Sequence, residues 1–112
     1  VTIYDRYDRP GGLLIYGIPN FKLEKFVVER RTKLLKDSGI KFVQNFEVGK
    51  DKTLYELKEM HDAILIATGV YKAREIDVPG CNLQNIFPAM DFLTVSNKKG
   101  LGDKLNYLMM AL

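Results

Sequence analysis

Val1-Thr2-Ile3-Tyr4-Asp5-Arg6 opens the chain, and Arg9-Pro10-Gly11-Gly12-Leu13-Leu14 follows close behind. The first stretch is a short run with an apolar and aromatic character that ends on a carboxylate; the second carries a pair of glycines. In α/β nucleotide-binding folds the second parallel strand ends in this way, because an ionised acid there accepts hydrogen bonds from a ribose hydroxyl. A Gly-x-Gly-x-x-Gly turn belongs about twenty residues before such an acid, and this sequence, which also lacks an initial methionine, has none there. The expectation is a piece of a longer protein that begins one strand late.

Working outward, Asp8 to Asn20 holds two prolines and three glycines and predicts a long loop with one helical turn. From Lys22 the pattern becomes helical. Leu23, Phe26, Val27 and Leu34 fall on one stripe, with Glu24, Lys25, Glu29, Lys33 and Lys36 outside it. Gly39 stops that helix as a residue able to take positive φ. Ile40 to Val48 alternates, with Phe42, Phe46 and Val48 to one side, and predicts a half-buried strand or two short ones. Gly49-Lys50-Asp51 turns the chain, and Thr53-Leu54-Tyr55-Glu56 has the spacing of a capping box opening a helix to about Met60. Asp62 to Ala67 is nearly all apolar and closes on Thr68-Gly69, the pattern of a central strand covered on both faces. Further on, Ile76 and Val78 suggest a short strand before Pro79-Gly80, Pro88 to Ser96 a helix entered through proline, and Asp103 to Leu112 a second one. The sum is α/β: an incomplete Rossmann-like fold, a parallel sheet with flanking helices whose first strand is missing.

With 112 residues, 46% of them hydrophobic and 28% charged, the composition is that of an ordinary globular domain. No apolar run reaches the roughly 20 residues of a membrane span. The net charge of +3 is small and its lysines and arginines alternate with acids, which argues against nucleic acid as a partner. Cys81 stands alone, so neither a disulfide nor a cysteine-built metal site can form within the chain. A small, semi-buried role after the Pro79-Gly80 turn suits it, and a reducing, cytoplasmic setting fits.

Several residues admit a chemical and a plain reading. Asp5 suits ribose binding, and equally a turn at a strand end. Gly11-Gly12 lets the backbone approach a phosphate or a ring system closely, and also serves any tight turn. Ala67-Thr68-Gly69 lies where α/β folds receive ligands, at the carboxyl end of the expected strand, or is a generic turn. His61, the sole histidine, reads as a surface or capping residue. Lys98-Lys99 reads as a solvated turn and Met109-Met110 as core. No nucleophile–base–orienter set is visible, so no catalytic residue is nominated, and no metal ligand either.

Taken in order, these pieces resemble one family. Val1 to Arg6, Gly11-Gly12-Leu13-Leu14 and Tyr16-Gly17-Ile18-Pro19-x-Phe21-Lys22-Leu23 are similar to the small (beta) subunit of NADPH-dependent glutamate synthase. The similarity runs on through Arg30-Arg31, Ser38-Gly39-Ile40, Val48-Gly49-Lys50-Asp51 and Tyr55-Glu56-Leu57. It continues in Asp62 to Gly69, Val78-Pro79-Gly80 and Ala89-Met90-Asp91-Phe92-Leu93. Dihydropyrimidine dehydrogenase shares the module.

The resemblance implies that residues 1–112 are a single fragment of an FAD-binding domain of the pyridine nucleotide-disulfide oxidoreductase kind. It implies FAD as cofactor, with the NADPH site and the iron–sulfur clusters outside this stretch. NADPH would reduce FAD and electrons would leave through the clusters, supporting glutamate synthesis from glutamine and 2-oxoglutarate beside a large subunit. By position, Asp5 corresponds to the acid on the FAD ribose, although many relatives carry Glu there. Gly12 and Leu13 correspond to backbone facing the cofactor, and Lys22 to a basic contact, or else a solvated lysine at a helix start. Val48 corresponds to backbone beside the adenine, and Ala67, Thr68 and Gly69 to the pyrophosphate side. A non-enzymatic Rossmann-like binding module and the flavin subunit of another NAD(P)H–ferredoxin-type oxidoreductase are the alternatives. The missing strand would leave edges through which two copies could pair.

Overall fold

The computed structural model describes residues 1–105. In chain order the elements are β1 (Thr2–Tyr4), α1 (Leu13–Tyr16), α2 (Lys25–Asp37), β2 (Lys41–Val43), α3 (Leu54–Met60) and α4 (Ala89–Gly100). They fall into two compact units, one of Val1–Pro10 with Arg30–Val70, the other of Gly11–Glu29 with the chain from Tyr71 onward.

The first unit is built on a two-stranded parallel sheet. Thr2, Ile3 and Tyr4 pair with Lys41, Phe42 and Val43, and the pairing is extended by Lys41 N to Val1 O at 3.0 Å and Asp5 N to Val43 O at 2.9 Å. In a parallel strand the peptide groups of alternate residues point to opposite edges. Those of Asp5 point to β2, so those of Thr2 and Tyr4 point to the other edge, where no strand lies among the described residues. β2 is short because Asn45 takes a φ of 54°; the chain leaves the extended region there, and Val48 returns only as an isolated bridge to Lys52. The alternation from Ile40 to Val48 therefore yields one strand of three residues and a turn.

Gly39 ends α2 as its sequence suggests. With φ at 90°, it lets Gly39 N reach Lys36 O at 2.9 Å and Ile40 N reach Leu35 O at 3.1 Å, the paired bonds of a Schellman motif. Thr53 caps α3 through the full reciprocal box: Glu56 N donates to Thr53 Oγ1 at 3.2 Å and Thr53 N donates to Glu56 Oε2 at 2.8 Å. Leu57 is the residue that α3 buries.

Asp62 to Ala67 is not a strand. No backbone hydrogen bond joins residues 62–70 to any described residue, and Leu65 and Ile66 are 89% and 68% exposed. The apolar run has the composition of a covered strand but finds no strand to pair with among the described residues. Ile76 and Val78 likewise form none.

In the second unit α1 packs on α4, and Ile15 and Tyr16 are its buried centre together with Val28. Pro88 opens α4 as foreseen, and the helix runs on to Gly100, so Lys98 and Lys99 are helical rather than a turn. Lys98 Nζ lies 5.3 Å from the centre of the Tyr16 ring, a cation–π distance. Cys81 is exposed, not semi-buried. Asp103, Lys104 and Leu105 are not helical, and the rest of the helix placed there, with Met109-Met110, lies outside the described residues.

The stripe assigned to α2 is corrected. Phe26 and Leu34 are largely exposed, whereas Lys25 and Val28 are buried. Lys25 turns inward because carbonyl groups wait there for its ammonium, a demand that apolar periodicity does not reveal.

Candidate functional site

In the first unit Asp5 follows directly on β1 and its carboxylate is half-buried. Oδ1 accepts a hydrogen bond from Tyr7 N at 3.0 Å, the short-range bond of an Asx turn. That bond orients the side chain and occupies one oxygen; Oδ2 has no partner among the described residues. The turn reading of Asp5 is thus correct, and it leaves one acceptor oxygen for a ligand. Phe46 N donates to Asp5 O at 2.9 Å, which ties Asp5 to the chain two residues before Val48. Val48 itself is half-exposed, and its own peptide groups are unbonded among the described residues.

Ala67, Thr68 and Gly69 lie exposed in the extended run, Gly69 with a φ of 71°. No hydrogen bond or ring contact joins them to Asp5 or Val48 among the described residues. They do not close a strand, so their placement at a sheet's carboxyl end is not realised.

His61, which sequence reading left as a surface or capping group, sits at the C-cap of α3. Its Nε2 shares a hydrogen bond of 3.0 Å with Tyr4 Oη, and the Tyr4 ring also meets Phe46 at 4.7 Å between centroids. Nothing in the spacing of Tyr4 and His61 signals this contact, because it depends on α3 returning to β1.

In the second unit Gly11 and Gly12 both adopt positive φ, 121° and 52°. A Cβ on Gly11 would stand 2.9 Å from Val28 Cγ1, whereas one on Gly12 would meet nothing within 4 Å. Gly11 is therefore a glycine because the unit's interior is close, and Gly12 because of its backbone angle alone. The space beside Gly12 is open, which is what a backbone needs if another molecule is to lie against it. Leu13 is 54% exposed. Lys22 is also exposed, at a turn in which its N–H donates to Pro19 O at 3.0 Å.

Behind these residues lie two buried polar side chains that the sequence did not disclose. Lys25 Nζ donates to Leu14 O at 3.0 Å and also to Ile18 O. Asn97 Nδ2 donates to Tyr16 O and to Leu93 O, both at 2.9 Å. Burial holds the Lys25 ammonium below its ordinary pKa.

An open cleft lies in each unit. That of the first, about 360 Å³, is lined by α3 residues and by Asp62, Ala63, Ile64 and Ile66; that of the second, about 270 Å³, includes Phe21, Lys25, Phe92 and Asn97. None of the eight nominated residues lines either cleft. Among the described residues no group of three His, Cys, Asp or Glu could hold a metal ion, and no helix is long and apolar enough to cross a membrane.

No family model matches the chain. Comparison with characterised sequences is more informative. The chain is 64% identical over 103 residues, 92% of its length, to the "Glutamate synthase [NADPH] small chain" of Azospirillum brasilense. It is 52% identical over 101 residues, 90% of its length, to the protein of that name from Bacillus subtilis. It is 47% identical over 113 aligned positions, 96% of its length, to the "Glutamate synthase [NADH]" of Schizosaccharomyces pombe. The chain spans 21% and 20% of the two bacterial proteins and 5% of the yeast one. Over nearly its whole length, then, this chain is homologous to a segment amounting to about a fifth of glutamate synthase [NADPH] small chains.

Proposed function

We propose that residues 1–112 are part of the FAD-binding domain of an oxidoreductase of the glutamate synthase small-chain kind. The observation that carries this reading is the 64% identity over 92% of the chain. In the proposed enzyme NADPH reduces FAD, and electrons pass through iron–sulfur clusters to a large subunit that forms glutamate from glutamine and 2-oxoglutarate in the cytoplasm. The flavin supplies the redox chemistry; the protein binds and orients it.

Residues of this chain have the chemistry the cofactor asks for. Asp5 offers the unpartnered Oδ2 to a ribose hydroxyl. Val48 offers free peptide groups to an adenine edge. Gly12 and Leu13 offer N–H groups without a partner among the described residues, Gly12 beside open space, and Lys22 an exposed cation for phosphate or for reduced flavin. Ala67, Thr68 and Gly69 would border the pyrophosphate.

The Rossmann-like reading of the sheet belongs to the same proposal. The outer edge of β1 and the bond-free, apolar run of residues 62–67 are both groups that a further parallel strand satisfies. Without it, the free edge gives this chain a route to pair with a second copy. Hydrogen exchange tests the point: amides of residues 63–67 should be protected in the full-length protein and unprotected in residues 1–112 alone.

Expression of the full reading frame tests the function. The proposal predicts a yellow protein whose flavin bleaches on addition of NADPH under anaerobic conditions. A folded, colourless protein that takes up no FAD would overturn it.

A further inference from the structure

We propose that Lys25 and Asn97 are positioning residues which hold the loop from Gly11 to Lys22 in its cofactor-facing shape. This inference rests on the reading that Gly12, Leu13 and Lys22 face FAD.

The loop cannot hold that shape by itself. α1 is a single turn of four residues, and one isolated turn costs more backbone entropy than its few hydrogen bonds return. Its final carbonyls have no partners within the helix. Leu13 O is served locally, by Gly17 N at 2.8 Å and Ile18 N at 2.9 Å. The carbonyls of Leu14, Tyr16 and Ile18 are served from outside the loop: Leu14 and Ile18 by Lys25 at the start of α2, Tyr16 by Asn97 on α4.

Both side chains are committed to this task. Lys25 is 7% exposed and Asn97 5%. No carboxylate pairs with Lys25 among the described residues. A buried ammonium without a counter-ion is costly, and an apolar side chain of similar length is generally cheaper for stability alone. What lysine provides instead is three donors on one atom, enough to bind two carbonyls on either side of Gly17. Asn97 is fixed with equal definiteness. Both partners of its amide nitrogen are carbonyl oxygens, which only accept, so the amide cannot be turned over. The two anchors therefore clamp the loop at Leu14, Tyr16 and Ile18, directly after Gly12 and Leu13.

The test uses the full-length protein carrying Lys25→Met or Asn97→Ala, with two readings: FAD affinity, and the visible circular dichroism of the bound flavin. A clamp on the loop predicts affinity lowered about tenfold or more, as expected for lost hydrogen bonds to buried groups, and a changed dichroic spectrum at saturating FAD. Lys25→Gln, which keeps one pair of N–H donors, should recover part of both. A merely structural role would lower the unfolding temperature and leave the saturated spectrum as in the unsubstituted protein. Unchanged affinity and spectrum in folded variants would overturn the inference. Should Lys25→Met fail to fold, Asn97→Ala decides by the same readings. If the unsubstituted protein takes up no FAD, the underlying functional reading fails, a result distinct from either of these.

Discussion

Tyr4 Oη and His61 Nε2 stand 3.0 Å apart, joining the last residue of β1 to the C-cap of α3 across 57 positions of sequence. The bond is half-buried and sits beside the Tyr4–Phe46 ring contact. It adds a long-range side-chain link in a unit whose only described sheet has two strands. Tyr4→Phe keeps the ring contact and removes the bond, so urea unfolding should report a loss of about 0.5–1.5 kcal/mol, the usual net worth of such a bond. A Tyr4→Phe protein as stable as the original would mean that the contact is incidental.

The capping box predicts a response to acid. Hydrogen bonds from the Thr53 backbone and then its hydroxyl hold the Glu56 carboxyl below its ordinary pKa. A carboxyl lowered in the folded state adds stability that is complete above its unfolded value and is lost as pH falls through the folded one. Helicity of α3 should therefore weaken on acidification below pH 4.5, and Glu56→Gln should flatten that response. Thr53→Ala should cost about 1 kcal/mol at neutral pH through the lost cap; chemical denaturation at two pH values reads both effects.

Lys25 gives a pH slope of the same sign from the opposite cause, a penalty on its charged form. Its folded pKa lies below the ordinary 10.5 because burial disfavours the charged form. The penalty is complete while both states are protonated. As pH rises through the folded value toward 10.5, the unfolded chain holds the extra proton and the folded state gains stability. The difference in unfolding free energy between the original and Lys25→Gln should therefore shift in favour of lysine over that range. A difference that stays flat would show that the ammonium is better hydrated than its surroundings indicate.

The two neighbouring glycines should separate stability from binding. Gly11→Ala places a Cβ 2.9 Å from Val28 Cγ1 at a φ of 121°, and should destabilise by about 1–3 kcal/mol from backbone strain alone. Gly12→Ala meets no atom within 4 Å, so its cost is confined to the positive φ. Because that side is open to a ligand, Gly12→Ala should reduce FAD uptake of the full-length protein more than it reduces stability. Thermal unfolding with and without FAD distinguishes the two variants.

Local signals were legible in the sequence where neighbours in the chain decide the outcome. Gly39, the Thr53–Glu56 box and Pro88 each act within a few residues, and each helix end that they mark is present. A strand before Asp5 and another after Gly39 were legible from their apolar patterns, although Asn45 cuts the second short; that the two pair with each other was not. Asp62 to Ala67 misled because a strand is a property of two segments, and no described residue pairs with this run. Lys25 and Asn97 were missed for a related reason. They answer loop carbonyls 7 to 81 positions away, and a lysine flanked by Glu24 and Phe26 carries no mark of that demand.

Of the nominated residues, Asp5 bears most of the functional account, and Asp5→Asn gives a clean handle on it. Asparagine retains the acceptor that makes the Asx turn, while the lost charge should weaken FAD binding by roughly tenfold or more, the scale of a hydrogen bond to an ionised group. The most direct measurement is a crystal structure of the full-length protein with FAD bound. It should place a carboxylate oxygen of Asp5 within hydrogen-bonding distance of a ribose hydroxyl of the adenosine. An Asp5 side chain turned to bulk water, remote from the nucleotide, would contradict the account at its foundation.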